Sequence, residues 1–166
     1  MIRINMFSQA DSVQGQGVGS AYRELVRLLR SRLVEDFYVT INKYGASDLT
    51  HYHTINPTYF ANSFLPSRGR KIGYVHFLPE TLEGSVKLPE PAKSIFYKYV
   101  IDFYKRMDQI VVVNPIFIDK LVKYGISKDK VKYIPNFVAK SEFYEQSQVQ
   151  KNAFRNKLHI PLDKFV

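Results

Sequence analysis

Ile110-Val111-Val112-Val113-Asn114-Pro115 is followed, after residues 116–130, by Val131-Lys132-Tyr133-Ile134-Pro135-Asn136. The first is a β-branched apolar run and the second a β-branched and aromatic one interrupted by Lys132; both read as strands, each closed by an Asn/Pro pair. Asn114-Pro115 also opens a helix, since proline suits a first helical position, and that helix ends at Gly125. Strand, crossover helix and second strand make a unit whose strands run parallel. A polar helix over 146–158 comes next, and the chain stops at Leu162-Asp163-Lys164-Phe165-Val166, which reads as the opening of a further strand. The expected division is therefore a first domain over 1–140, with a linker and the start of a second domain over 141–166.

Working outward, Ile2, Ile4, Met6 and Phe7 mark a short buried strand, and a polar, glycine-rich loop covers 8–19. Tyr22, Leu25, Val26, Leu28, Leu29 and Leu33 recur at helical spacing, predicting a helix over 20–34 capped by Ser20. Strands are expected at 37–41, 49–55 and 71–77, a short proline-led helix at 57–64, an irregular segment at 79–91 and a helix over 92–106. Strands that alternate with helices predict an α/β fold: a parallel sheet with helices on both faces. Right-handed crossovers then bring every strand's C-terminal end to one edge, where ligands collect. Loops 8–19, 42–48, 54–57 and 76–90 and residue 114 belong to that edge.

The composition is that of a globular chain, 45% hydrophobic and 23% charged. Cysteine is absent, which excludes disulfides and thiolate metal sites and favours a reducing, intracellular compartment. The first seven residues lack a secretory apolar core, and no run approaches the roughly 20 apolar residues of a spanning helix. A net charge of +9 fits an anionic partner (phosphate, nucleic acid or acidic lipid) or a solvated basic surface.

Gly15-Gln16-Gly17-Val18-Gly19 is not a dinucleotide fingerprint. Ser20 and Tyr22 stand where its third glycine would fall, and Asn42 and Lys43, not an acid, end the second strand. No G-K-[ST] phosphate loop and no G-x-S-x-G nucleophile elbow occurs. The glycines either let backbone amides meet an anion at a helix start or serve a turn that needs positive φ. His51 and His53 share one strand face. They either begin a metal site that lacks an evident third ligand or are ordinary strand histidines. His76 ends a strand on the ligand-binding edge. Glu80, Glu83 and Glu90 follow in its loop with no fixed geometry, so solvated charges account for them as well as paired acid–base carboxylates do.

Motif order across nearly the whole chain resembles the N-terminal half of the GT-B retaining glycosyltransferases of family four. Gln16-Gly17-Val18-Gly19-Ser20 is similar to their Gly-Gly-Val-Gly loop. Asp48-Leu49-Thr50-His51-Tyr52-His53 is similar to their Asp-hydrophobic-x-His-x-His strand, and His76 matches their histidine after the next strand. Lys130-Val131-Lys132-Tyr133-Ile134-Pro135-Asn136 resembles the linker motif Pro-Asn-Gly-Val, with Phe137 in place of its glycine. Residues 155–161 resemble the approach to the second domain. The opening residues 4–22 look closest to Gram-positive diglycosyl-diacylglycerol synthases, which add a second hexose to monoglucosyl-diacylglycerol for membrane lipid and lipoteichoic-acid anchors.

The resemblance implies a Rossmann-like acceptor-side domain, and half an enzyme that does not transfer sugar by itself. The donor is a nucleotide sugar, UDP-hexose, held chiefly by the C-terminal domain, with no metal. Gly17, Val18 and Gly19 would face its diphosphate, and His76 would act at the transferred sugar. His53, Glu80, Thr81, Asn114 and Asn136 are acceptor-side candidates. No protein nucleophile is implied, so positioning and electrostatics carry the chemistry. A soluble or polysaccharide acceptor is the alternative within the fold.

A lipid acceptor requires a surface that meets the inner face of the plasma membrane. Helix 92–106 mixes Ile95, Phe96, Tyr99 and Phe103 with Lys93, Lys98 and Lys105, and 60–71 offers Phe64, Leu65, Arg68, Arg70 and Lys71. Such segments lie on anionic headgroups or pack on the sheet with their cations solvated. A basic nucleic-acid-binding module, stacking bases on the 12 Tyr and 12 Phe, is the rival from another class. No nucleic-acid motif supports it, and no nucleic-acid partner is expected.

Overall fold

The computed structural model describes residues 1–10, 17–82, 84, 88–136 and 144–165. Its elements are β1 (Ile2–Phe7), α1 (Gly17–Arg32), β2 (Phe37–Ile41), β3 (Leu49–Tyr52), α2 (Pro57–Asn62), β4 (Arg70–Val75), α3 (Pro79–Leu82), α4 (Ala92–Lys105), β5 (Gln109–Val112), α5 (Ile116–Lys123), β6 (Val131–Tyr133) and α6 (Gln148–Lys157). All six strands join one sheet in the order β2-β1-β3-β4-β5-β6, every pair parallel.

That order reverses direction after β2, so right-handed crossovers place helices on opposite faces. Side-chain alternation in the strands sorts the core accordingly. Ile4, Met6, Val39 and partly buried Leu49 pack with Tyr22, Val26 and Leu29 of α1. Phe7, Tyr52, Val75, Ile110 and Val112 point the other way, where Val100, Phe103 and Tyr104 of α4 and Phe117 and Leu121 of α5 join them. Each fully buried side chain of this size contributes about 1.5–3 kcal/mol over exposure.

Several boundaries differ from those the sequence predicts. α1 begins at Gly17, so Ser20 lies inside the helix and does not cap it. Neither Gly17 nor Gly19 takes positive φ, so that explanation does not apply to these two. Gly19 is instead a close approach: a Cβ there would lie 2.9 Å from the Ala10 carbonyl oxygen. β3 ends at Tyr52 and β4 at Val75, which leaves His53 and His76 just beyond their strands. The segment 79–91 contains the short helix α3.

α5 ends before Gly125, whose φ of 82° is the left-handed conformation that closes helices. α6 starts on a Ser147/Gln150 capping box and buries none of its residues. Residues 162–165 form a turn rather than the expected strand, with Arg155 Nη1 donating to the carbonyls of Pro161 (2.8 Å) and Lys164 (2.7 Å).

Candidate functional site

β1, β3 and β4 deliver their C-terminal ends side by side. His51 is in register with Met6 and Ile72, and the His53 amide continues the ladder by donating to the Phe7 carbonyl (2.9 Å). Period-2 alternation then puts His51, His53, Tyr74 and His76 on the α1 face of the sheet. The His53 ring stacks on Tyr74 (centroids 4.0 Å apart) and meets the edge of Tyr22 at 5.0 Å. His51 lies 6.1 Å and His76 6.2 Å from it, one on each side.

This row of rings borders a cavity of about 300 Å³ lined by Ala21, Leu25, Leu28, His53, Tyr74, His76, Val113, Ile134 and Asn136. The volume falls at the lower end of ligand pockets. Its walls divide by chemistry, with α1, Val113 and Ile134 apolar and the ends of β3 and β4 polar. Nε2 of His53, Nε2 of His76 and Nδ1 of His51 are buried without a hydrogen-bond partner. Unpaired buried polar atoms are costly, and two of these belong to residues that line the cavity, His53 and His76.

Burial keeps these imidazoles uncharged. It pushes His51 and His76 each down to about 4. Burial first, and then the neighbouring His51 and His76, holds His53 well below its ordinary value. The Tyr74 phenol is pushed up to about 12 by burial. At neutral pH the row can donate and accept hydrogen bonds without carrying charge. Among the described residues no group of three or more His, Cys, Asp or Glu is arranged to hold a metal ion.

Of the residues singled out in the sequence, the cavity brings together His53, His76 and Asn136. Gly17, Val18 and Gly19 form the first turn of α1, just ahead of Ala21 in the wall, and Gly17 is exposed. Glu80, Thr81 and Asn114 do not line this cavity, and each has a local partner. Glu80 accepts from the Tyr124 hydroxyl (2.9 Å). Thr81 Oγ1 closes a turn on the amide and carbonyl of Leu78. Asn114 Oδ1 accepts from the Ile116 amide at the start of α5 (3.1 Å). Gly15, Gln16, Glu83 and Phe137 lie outside the described residues. Of the lining residues that were not candidates in the sequence, Tyr74 is the one that bears a polar ring, and its place two residues before His76 puts it on the same face.

The basic candidates separate further. Arg68 is not surface-facing: it is 2% exposed, and its guanidinium donates to the carbonyls of Gly45 (2.6 Å) and Tyr44. The loop after β2 offers those carbonyls inward, and they draw the cation in. Lys71 is mostly covered and pairs with Asp108 at 3.4 Å. Lys98 pairs with Asp102, and Lys93 lies 5.5 Å from the centre of the Tyr97 ring. Arg70 and Lys105 are exposed. Phe64, Leu65 and Ile95 are exposed apolar residues. Phe60 links α2 to α4 through rings at 5.3 Å from both Phe64 and Tyr99.

The reversing parallel sheet, with its histidines at the C-terminal edge, is a Rossmann-like α/β fold of the kind that forms one half of a GT-B glycosyltransferase. Crystal structures of Anabaena HepE have this architecture. The complex with UDP and glucose superposes with a TM-score of 0.68 at 13% identity, covering 96% of this chain and 50% of that one. The complex with UDP alone gives a TM-score of 0.63 over the same shares. Residues 15–142 match Glycosyltransferase Family 4, and the chain belongs to that family. It is 49% identical over 166 residues to the alpha-galactosylglucosyldiacylglycerol synthase of Streptococcus pneumoniae, covering 99% of this chain and 44% of that protein. The chain thus spans less than half the length of this relative. Among the described residues no helix is long and apolar enough to cross a membrane.

Proposed function

We propose that these residues are the acceptor-side half of a retaining glycosyltransferase that moves a hexose from UDP onto a glycolipid, monoglucosyl-diacylglycerol, at the inner face of the plasma membrane. The product would be a diglycosyl lipid of the kind used as membrane lipid and lipoteichoic-acid anchor. The observation that carries this reading is the cavity that two neutral imidazoles with unpaired Nε2 atoms, His53 and His76, line together with an apolar wall. A pyranose has the matching surface: hydroxyls around its rim and an apolar face of C–H groups. Identity with the Streptococcus pneumoniae enzyme supports the glycolipid acceptor, and the nucleotide in the HepE complexes supports a UDP-linked donor.

In this reading His76 acts at the transferred sugar, and His53 and Asn136 hold hydroxyls. Amides of Gly17, Val18 and Gly19 face the donor diphosphate, as suits an exposed helix N-terminus. The donor domain is supplied outside these residues, with 1–140 as the first domain and 141–166 leading into the second. Exposed Phe64, Leu65 and Ile95, together with Arg70, Lys93, Lys98 and Lys105, are the residues assigned to anionic membrane.

Isothermal titration of the chain with α-glucosylglycerol, the soluble headgroup of the acceptor, tests the site. Binding that is lost in His53→Ala and His76→Ala is the expected result. In enzyme extended through the donor domain, His76→Ala should lower turnover at least ~100-fold, the usual size of such a contact. Unaltered binding in both variants, or near-normal turnover of His76→Ala, refutes the assignment.

A further inference from the structure

The chain leaves β1 through Ser8, Gln9 and Ala10, and side chains rather than a strand ladder hold these residues at the ligand edge. The Asn42 amide still continues the β1–β2 pairing by donating to the Met6 carbonyl (3.1 Å). One step further its side chain takes over. Asn42 Oδ1 accepts from the Ser8 amide (3.0 Å) and Nδ2 donates to the Ser8 carbonyl (2.9 Å), so one carboxamide pairs with both backbone groups of Ser8. A φ of 50° places Asn42 for this, in the left-handed region that asparagine tolerates better than most residues. Oδ1 also accepts from the Tyr59 hydroxyl of α2 (3.1 Å). On the β3 side the Gln9 amide donates to Thr54 Oγ1 (3.0 Å), one residue beyond His53. The Ala10 amide donates to Ser8 Oγ (3.1 Å), and Ala10 is buried with its carbonyl oxygen against Gly19 in the first turn of α1.

We propose that Asn42 is a positioning residue: it fixes Ser8 to Ala10, and through the Ala10 carbonyl it sets where the first turn of α1 stands relative to the sheet. The last link has no slack. A Cβ on Gly19 would already lie 2.9 Å from the Ala10 oxygen, so a shift of Ala10 is passed to the turn instead of being absorbed. The position asks for asparagine in particular. Glycine would accept the backbone conformation but brings no carboxamide, and aspartate brings no donor for the Ser8 carbonyl. Asn42 is itself exposed, so truncating it opens no cavity in the core and acts on the clamp alone. The inference rests on the reading above for its effect on turnover, because there the amides of this turn face the donor diphosphate.

Asn42→Gly keeps the left-handed backbone and deletes the clamp, and amide NMR of the chain follows the result. Resonances of Ser8, Ala10 and Gly19 should move and the Ala10 amide should exchange at least ~10-fold faster, while β5 and β6 keep their shifts. Ser8→Ala cuts the next link without touching Asn42 and should move the same Ala10 and Gly19 amides, which also covers the case of an unfolded Asn42→Gly. In enzyme extended through the donor domain, Asn42→Gly should raise KM for UDP-hexose at least ~10-fold with the acceptor KM unchanged. A merely destabilised protein would instead lose kcat with both KM values unaltered. Ala10 and Gly19 amides that stay in place in both variants, or shifts that spread through β5 and β6, overturn the proposal whatever the kinetics. Shifts as expected with an unchanged donor KM refute the assignment of the α1 amides to the donor and leave the brace standing. The NMR arm needs no donor, so the two readings fail separately.

Discussion

Acidifying the chain from pH 7 to pH 5 asks three buried imidazoles to accept protons that their surroundings resist. His51 and His76 have a folded pKa of about 4 against 6.5 for an exposed histidine, both lowered by burial. A histidine held below its ordinary value binds fewer protons folded than unfolded, so stability is complete above 6.5 and is lost as pH falls towards about 4. Integrating over this interval from pH 7 to pH 5 removes about 2 kcal/mol for each of the two, or about 4 kcal/mol together. His53 adds to the loss in the same direction. Against the ~5–15 kcal/mol that usually separates native from unfolded chains, this is a large fraction. The carboxylates held low by partners, Asp48 by Arg3 and Glu24 by Arg27, lose their contribution chiefly at lower pH. Urea unfolding followed by circular dichroism at pH 7, 6 and 5 measures the slope, and His51→Gln should remove about 2 kcal/mol of the difference. Equal stability at pH 7 and 5, or an unchanged slope in His51→Gln, would refute the argument that burial keeps this row neutral.

Three further substitutions probe the scaffold. Gly19→Ala forces a methyl to within 2.9 Å of the Ala10 carbonyl oxygen and should destabilise by about 1–3 kcal/mol, the usual cost of overpacking. Gly17→Ala meets nothing within 4 Å and should be neutral or slightly stabilising in the same urea titration. Arg68→Met leaves the carbonyls of Tyr44 and Gly45 without their donor and should cost at least about 2 kcal/mol. An unchanged urea midpoint would show that water replaces the guanidinium at no cost.

Strand existence and direction were legible because β-branched or aromatic runs such as 110–113 and 131–134 are bounded by proline and asparagine, and a helix separates each parallel pair. The position of His76 on the ligand edge followed from the same pattern. The start of α1 was hidden because glycine opposes helix by propensity, and only the close approach of Gly19 to Ala10 explains its use there. Arg68 misled for a related reason. Its partners are backbone carbonyls, which every residue has, so no acidic side chain in the sequence announces a buried cation. Tyr74 escaped notice because a tyrosine in a strand is ordinary until its stacking on His53 is seen.

The turn that presents Phe64 and Leu65 is fastened at both ends. Arg106 lies over the Phe64 ring at 3.3 Å and donates to Ser63 Oγ (3.0 Å), while Arg68 is sunk in the carbonyls of the loop after β2. The Ser47 amide and the Thr50 hydroxyl add bonds to the carbonyls of Ser67 (3.0 Å) and Arg68 (2.7 Å). Two apolar side chains held out on so stiff a mount lose little backbone freedom when they enter another phase. Were they to do so, most of the transfer free energy of those side chains would be left for adhesion, and a pull on the tip would reach the sheet through Arg68, the Ser47 amide and the Thr50 hydroxyl together.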